Sequence, residues 1–256
     1  MISHEISNTM DNDYVKYVVM NKSNHSYAIN RKITEVFNND SWLGKRCFII
    51  GGGESLKGFD FSILNNELTI GINKAFQFYP NVKVSYIMDS DFYNGMKDGR
   101  YDKSGQTKIW DVWMSFKGVR VFLTPMELKE FGKEVVLVRR IMRPSVSRDL
   151  DYGIYGGRNS GLGAIMLAIA LGASPIYLLG YDMKAVIQSH WHDGYPNRDL
   201  KEFGQKLVEY RDEIVNMLSL INQTNVHIVN LNYDSELRCF PFSDLDTVLK
   251  GELAKV

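Results

Sequence analysis

The chain has 256 residues, 45% of them hydrophobic and 23% charged, with 30 basic residues balanced by 30 acidic ones. That length and apolar content are enough to bury a full core, which excludes intrinsic disorder. The zero formal net charge excludes a global positive field of the kind that draws a protein onto nucleic acid or an anionic membrane, so nucleic acid is not favoured as a partner, although local basic patches leave it open.

From the amino terminus, residues 1–14 lack the cationic start and apolar run of a secretory signal. Residues 1–42 are polar and Asn-rich and read as a peripheral extension, with an apolar patch at 14–20, a helix expected around 29–37, and Lys16 and Lys22 as solvated charges. The pattern then changes. Cys47-Phe48-Ile49-Ile50 is a wholly apolar run ending in Gly51-Gly52-Gly53, which reads as a buried strand and a tight loop. Further short apolar runs follow at 68–70, 84–88, 119–123, 135–138, 176–179 and 226–229, with helical patterns at 161–171 and 200–221. This alternation predicts an α/β protein: a Rossmann-like, doubly wound, mostly parallel sheet with helices on both faces. Residues 43–256 form that nucleotide-binding domain, with a small loop and helical lid around 92–118 and 183–200. The aromatics and methionines of 110–122 read as core or lid packing. The longest apolar stretch, 164–180, is broken by Gly172, Ser174 and Pro175 and is too short to span a bilayer. Cys47 and Cys239 stand far apart without a CxxC partner, which excludes a disulfide framework and a thiolate zinc site. A soluble cytoplasmic protein is therefore expected, and homo-oligomerisation is left open.

Six motifs carry chemistry. Gly51-Gly52-Gly53-Glu54-Ser55 follows the first buried strand. Its glycines remove side chains that would block a ligand, and its N–H groups suit a phosphate, although the spacing is neither GxGxxG nor Walker A; a plain glycine turn is the alternative. Asn73, in Gly71-Ile72-Asn73 at the end of the next strand, is placed to contact a base or ribose, or else to cap the following helix. Asp89-Ser90-Asp91 ends the strand at 84–88. If the extended geometry persists, Asp89 and Asp91 share a face and could hold Mg²⁺ or Mn²⁺ against a diphosphate; otherwise Asp89 caps the next helix. Gly156-Gly157-Arg158-Asn159-Ser160-Gly161 opens a helix and combines backbone donors, a hydroxyl and a guanidinium, an anion site for a phosphate or a carboxylate; alternatively Arg158 ties loops together. Asp182 lies just beyond the strand at 176–179, placed for a hydroxyl, base or metal, or for capping a turn. Finally, Ser189-His190-Trp191-His192-Asp193-Gly194-Tyr195 puts two of the five histidines in an aromatic loop, where an imidazole suits proton removal from an acceptor hydroxyl. Arg139, Arg140 and Arg143 form a basic patch that could help to bind phosphate.

In this order, GGGESL, GIN, DSD, RNSGLGAIMLAIALGASPIYLLGYDM and NLNYDSELRCFP resemble the 6-hydroxymethylpterin diphosphokinase (MptE)-like Rossmann family over about residues 45–242. More distantly, Gly51 to Leu56, Asn73, Arg158 to Gly161, residues 168–182 and a late His resemble bacterial sialyltransferases that use CMP-sialic acid. That second resemblance implies nucleotide contacts from Gly51, Gly52, Gly53 and Asn73, a donor-side role for Arg158 and Ser160, and a general base at His190 or His192. The first implies Mg²⁺ with ATP. The expected function is a transferase with a nucleotide-activated donor, a glycosyltransferase with a sugar nucleotide and a hydroxyl-bearing acceptor. Its alternatives are an ATP-dependent diphosphokinase acting on a pterin-like hydroxymethyl group and a non-catalytic nucleotide-binding module. The residues expected to serve it are His190, His192 and Arg158 in catalysis, Gly51, Gly52, Gly53, Ser55, Asn73, Ser160, Gly161 and Asp182 on the nucleotide, and Asp89 with Asp91 on a metal.

Overall fold

The computed structural model describes residues 31–124, 134–185, 187–192 and 199–251. The apolar patch at 14–20, Lys16, Lys22 and the Asp193-Gly194-Tyr195 end of the histidine motif lie outside them. The strands are β1 (Arg31–Lys32), β2 (Cys47–Ile50), β3 (Leu68–Ile72), β4 (Val84–Ile87), β5 (Val119–Thr124), β6 (Val135–Ile141), β7 (Ile154–Tyr155), β8 (Ile176–Leu179) and β9 (Ile228–Asn230). Between them run helices α1 (Ala75–Phe78), α2 (Ser90–Lys97), α3 (Ile109–Ser115), α4 (Ser160–Ala170), α5 (Leu200–Asn222) and α6 (Leu245–Leu249).

The strands form one sheet in the order β1-β6-β5-β4-β3-β2-β8-β9, with β7 beside β6, and every pairing is parallel. The core strands read as unbroken apolar runs because both faces of the sheet are covered. On β2, Cys47 and Ile49 enter one hydrophobic cluster while Phe48 and Ile50 enter the other, and all four are fully buried. β8 repeats the division, Ile176 and Leu178 against Tyr177 and Leu179. Helix α4 is buried from Leu162 through Ala170 and packs on one face. It is apolar all round because it has no solvent side, and each large aliphatic it buries contributes about 1.5–3 kcal/mol. Helices α1, α2 and α3 pack on the opposite face through Phe76, Phe92, Met96 and Trp113. The doubly wound α/β fold is as the sequence predicts.

The chain winds from β2 outward through β3, β4 and β5 to β6, then crosses back to place β8 and β9 on the other side of β2. Ile50 is level with Gly71 on one neighbour and Leu179 on the other. The loops after β2 and β8 therefore emerge side by side, stitched by Gly51 N–H to Leu179 O at 2.7 Å and Gly53 N–H to Gly180 O at 2.8 Å. In open α/β sheets this reversal point is where a crevice forms at the carboxyl ends of the strands.

One expectation needs correction. The helix expected around 29–37 is absent from the described part, which instead holds the two-residue strand β1 and a 3₁₀ turn at Ile33–Glu35. Ile33 and Trp42 are buried in the main core, so the described residues 31–42 pack on the sheet. Within 92–118, Phe92, Tyr93, Met96, Ile109, Trp113 and Phe116 are buried and the Trp113 indole N–H donates to the Ser85 hydroxyl at 3.0 Å, while most of 97–108 is exposed. Among the described residues, no helix is long and apolar enough to cross a membrane.

Candidate functional site

A cleft of ≈ 500 Å³ opens at the carboxyl edge of the sheet. Gly52, Asp89 and Ser160, from three separate turns of the sequence, all line it, together with Asn73, Arg158, Asp182, His190 and His192. The predicted motifs therefore converge on one concavity.

The glycine loop is glycine because its neighbours leave no room. A Cβ on Gly51 would lie 2.6 Å from Gly180 O, one on Gly52 2.8 Å from His190 Cδ2, and one on Gly53 2.6 Å from Gly180 O, against the Asp182 carboxyl as well. The loop is thus pressed against β8's exit on one side and the histidine segment on the other. Asp182, only 4% exposed, accepts from the Ser55 N–H at 2.7 Å, the Ser55 hydroxyl at 2.6 Å and Asn232 Nδ2 at 2.9 Å. It braces the glycine loop from the cleft wall. Ser55, expected on the nucleotide, is not on that wall: its hydroxyl and N–H are both committed to Asp182.

Asn73 has a left-handed backbone, φ 50°, and its N–H donates to Tyr86 O at 2.9 Å. It does not cap α1, whose N-cap position is Lys74. Its Oδ1 is buried and lacks a hydrogen-bond partner among the described residues, a costly state for an amide oxygen that a ligand donor would relieve.

The acidic turn departs from the sequence picture. The strand ends at Ile87 and α2 begins at Ser90, so the alternation that would place Asp89 and Asp91 on one face is not present. Asp89 Oδ1 caps α2 by accepting from Asp91 N at 2.8 Å and Phe92 N at 3.3 Å. Asp91 pairs with Arg100 at 3.0 Å and its side chain is 73% exposed. Among the described residues no group of three or more His, Cys, Asp or Glu is set to hold an ion. As placed, Asp89 serves as a helix cap and Asp91 in a surface ion pair, and both line the cleft.

In the Gly156–Gly161 turn, Asn159 caps α4, its Oδ1 accepting from Leu162 N at 2.7 Å. The Arg158 N–H, counted among the anion-binding donors, is taken by the Glu213 carboxylate at 3.0 and 2.9 Å. The donors left at the helix start are the N–H groups of Ser160 and Gly161, and both residues line the cleft beside the exposed Arg158.

The histidine segment is docked onto the glycine loop. Trp191 donates its N–H to Gly52 O at 3.2 Å and its indole N–H to Gly51 O at 3.1 Å, and packs on Phe61 and Phe78. His192 stacks on Phe78 at 4.7 Å between centroids. His190 lies beside Gly52, its Nδ1 3.0 Å from the Ser189 hydroxyl, and packs against Phe203 of α5 at 5.2 Å.

Sequence reasoning missed several wall residues. Phe203, Leu207 and Tyr210 of α5 and Tyr101 of the α2–α3 connection all line the cleft; none belongs to a motif, and only the helical spacing of the first three was a signal. Arg140, read only as part of a basic patch, also lines it and donates to Gly157 O. Lys184 is paired with Asp234 at 2.6 Å. Neither cysteine lines the cleft, and burial pushes the Cys47 thiol up and that of Cys239 to about 11.

No known family model matches the sequence, and no curated protein matches it. Solved structures that match the chain include these two. One is the MAf glycosyltransferase from Magnetospirillum magneticum AMB-1, with a TM-score of 0.52 and 14% identity over 88% of this chain and 38% of that one. The other is the sialyltransferase CstII from Campylobacter jejuni in complex with CMP-3FNeuAc, with a TM-score of 0.42 and 17% identity over 77% of this chain and 85% of that one. The chain spans 38% of the MAf protein's length, and at 14% identity the likeness to it is one of fold, a doubly wound α/β architecture.

Proposed function

We propose that the protein is a glycosyltransferase that moves a sugar from a nucleotide donor to a hydroxyl of an acceptor. The observation that carries this reading is the convergence of the glycine loop, Asn73, the Arg158–Gly161 helix start and the histidine segment on a single cleft at the reversal point of the sheet. The fold likeness to the MAf glycosyltransferase supports it.

In this reading the donor's base and ribose lie along Gly51 to Gly53 and Asn73. Its phosphate faces the Ser160 and Gly161 N–H groups, with Arg158 and Arg140 nearby. His190 takes the proton from the acceptor hydroxyl, the oxygen attacks the anomeric carbon, and the bond from that carbon to the phosphate oxygen breaks, its electron pair leaving with the nucleotide. His190 is assigned this role over His192 because its ring is fixed against Gly52 by the Ser189 contact, whereas His192 lies flat on Phe78.

The test is a thermal-shift screen of CMP-, UDP- and GDP-sugars against ATP, followed by transfer assays on the donor that binds. Sugar nucleotides are expected to raise the melting temperature, and His190→Ala to keep donor binding while losing at least about a hundredfold in turnover. A shift with ATP alone would favour the diphosphokinase, and unimpaired turnover in His190→Ala would remove the proposed base.

A further inference from the structure

The peptide between Gly157 and Arg158 is held from both ends by opposite charges. Its carbonyl, Gly157 O, accepts from Arg140 Nη2 on β6. Its N–H, that of Arg158, donates to both oxygens of Glu213 on α5 at 3.0 and 2.9 Å. The same carboxylate accepts from Asn159 Nδ2 at 3.0 Å and the Tyr155 hydroxyl at 3.3 Å. Gly157 has φ 57°, and a Cβ there would meet Glu213 Oε1 at 2.6 Å, so glycine at this position is what lets the carboxylate approach.

A Gly-Gly pair preceding a helix start is intrinsically free to adopt many backbone conformations. A peptide flip at Gly157–Arg158 would turn the carbonyl toward Glu213 and the N–H toward Arg140, reversing two charge-assisted hydrogen bonds at once. We propose that Glu213 is a positioning residue: with Arg140 it locks this peptide in one orientation and thereby fixes where Arg158 enters the cleft. Glu213 also continues the side of α5 that carries Phe203, Leu207 and Tyr210, at positions 203, 207, 210 and 213. One helix thus forms a wall of the cleft and sets its arginine, and a ligand that seats against that wall finds Arg158 already placed. The assignment concerns a residue that does not touch the ligand, and its functional part rests on the transferase reading above.

The experiment compares the full chain with Glu213→Gln, which in either amide orientation puts an N–H₂ against the Arg158 N–H, and Glu213→Asp, which keeps the charge on a shorter reach. Hydrogen exchange is followed by mass spectrometry over residues 154–165, and CMP and UDP are titrated calorimetrically in the presence and absence of Arg158→Ala. Glu213→Gln is expected to speed exchange at 156–161 while α4 beyond Gly163 stays protected, and to weaken nucleotide binding about tenfold; Glu213→Asp is expected to fall between it and wild type. In the Arg158→Ala background, Glu213→Gln is expected to cost little further affinity, because the group it positions is gone. Unchanged exchange overturns the lock whatever the nucleotides do. An equal loss of affinity in both backgrounds overturns the link to Arg158. If wild type binds neither nucleotide, it is the cleft reading that fails, and the exchange result alone decides the lock.

Discussion

Lys74 is an ammonium in an unusual place. It follows Asn73 at the end of β3, is 1% exposed, and sits 4.7 Å over the ring of Tyr101, which lines the cleft. Burial, with a smaller push from Lys103 and an opposing pull from Asp102, brings its pKa down to about 8. An unfolded chain holds the same proton up to about 10.4. Between those two values the unfolded state binds more protons than the folded one, so this group makes stability rise with pH across that window; below the folded value both states are charged and the burial penalty is constant. The difference in stability between wild type and Lys74→Met is therefore expected to shift in favour of wild type as pH rises from about 8 toward about 10, as read from denaturant melts at each pH. A difference that stays flat would show that Lys74 keeps its proton in the folded chain.

At the scale of elements, the acidic turn shows how a local cap decides what a motif is for. Asp89 is the N-cap of the eight-residue helix α2, and removing such a cap costs about 1 kcal/mol while Asn in its place retains it. Asp89→Ala is thus expected to lower stability by about 1 kcal/mol and Asp89→Asn to leave it nearly unchanged. With Asp89 and Asp91 engaged elsewhere, transfer is expected to persist in excess EDTA; activity lost in EDTA and restored by Mg²⁺ would show that Asp89 serves an ion as well as the cap. The sequence could signal the turn but not this outcome, because DSD reads alike as cap and ligand until the end of the strand is known. The same logic separates what was legible elsewhere. β2 and β8 announce themselves because burial on both faces leaves only apolar residues. By contrast β1, two exposed charged residues, exists through its pairing with β6 and has no pattern of its own. The glycine run was readable because a missing Cβ marks a close approach. Glu213 was not, because a carboxylate among the many charges of α5 looks like any solvated helix face until Gly157 is brought against it.

The whole molecule divides at the boundary between β2 and β8. Gly51 to Gly53, Asn73 and Asp89 come from one wing, Arg158, Ser160 and Asp182 from the return of the chain, and the histidine segment and α5 line the same cleft. On the proposed function a ligand in the cleft would touch both wings and be bound only when they are assembled, so its binding energy would add to global stability. A donor at a hundredfold excess over its dissociation constant is expected to add about 2.7 kcal/mol, which for a chain of this size is a rise of roughly 5–10 °C in melting temperature. Arg158→Ala leaves the core untouched, since the side chain is exposed. Its unliganded melting temperature is expected to match wild type while the ligand-induced rise shrinks at equal donor concentration. An undiminished rise in Arg158→Ala would place the donor's phosphate away from α4, with Ser160 and Gly161 no longer its seat.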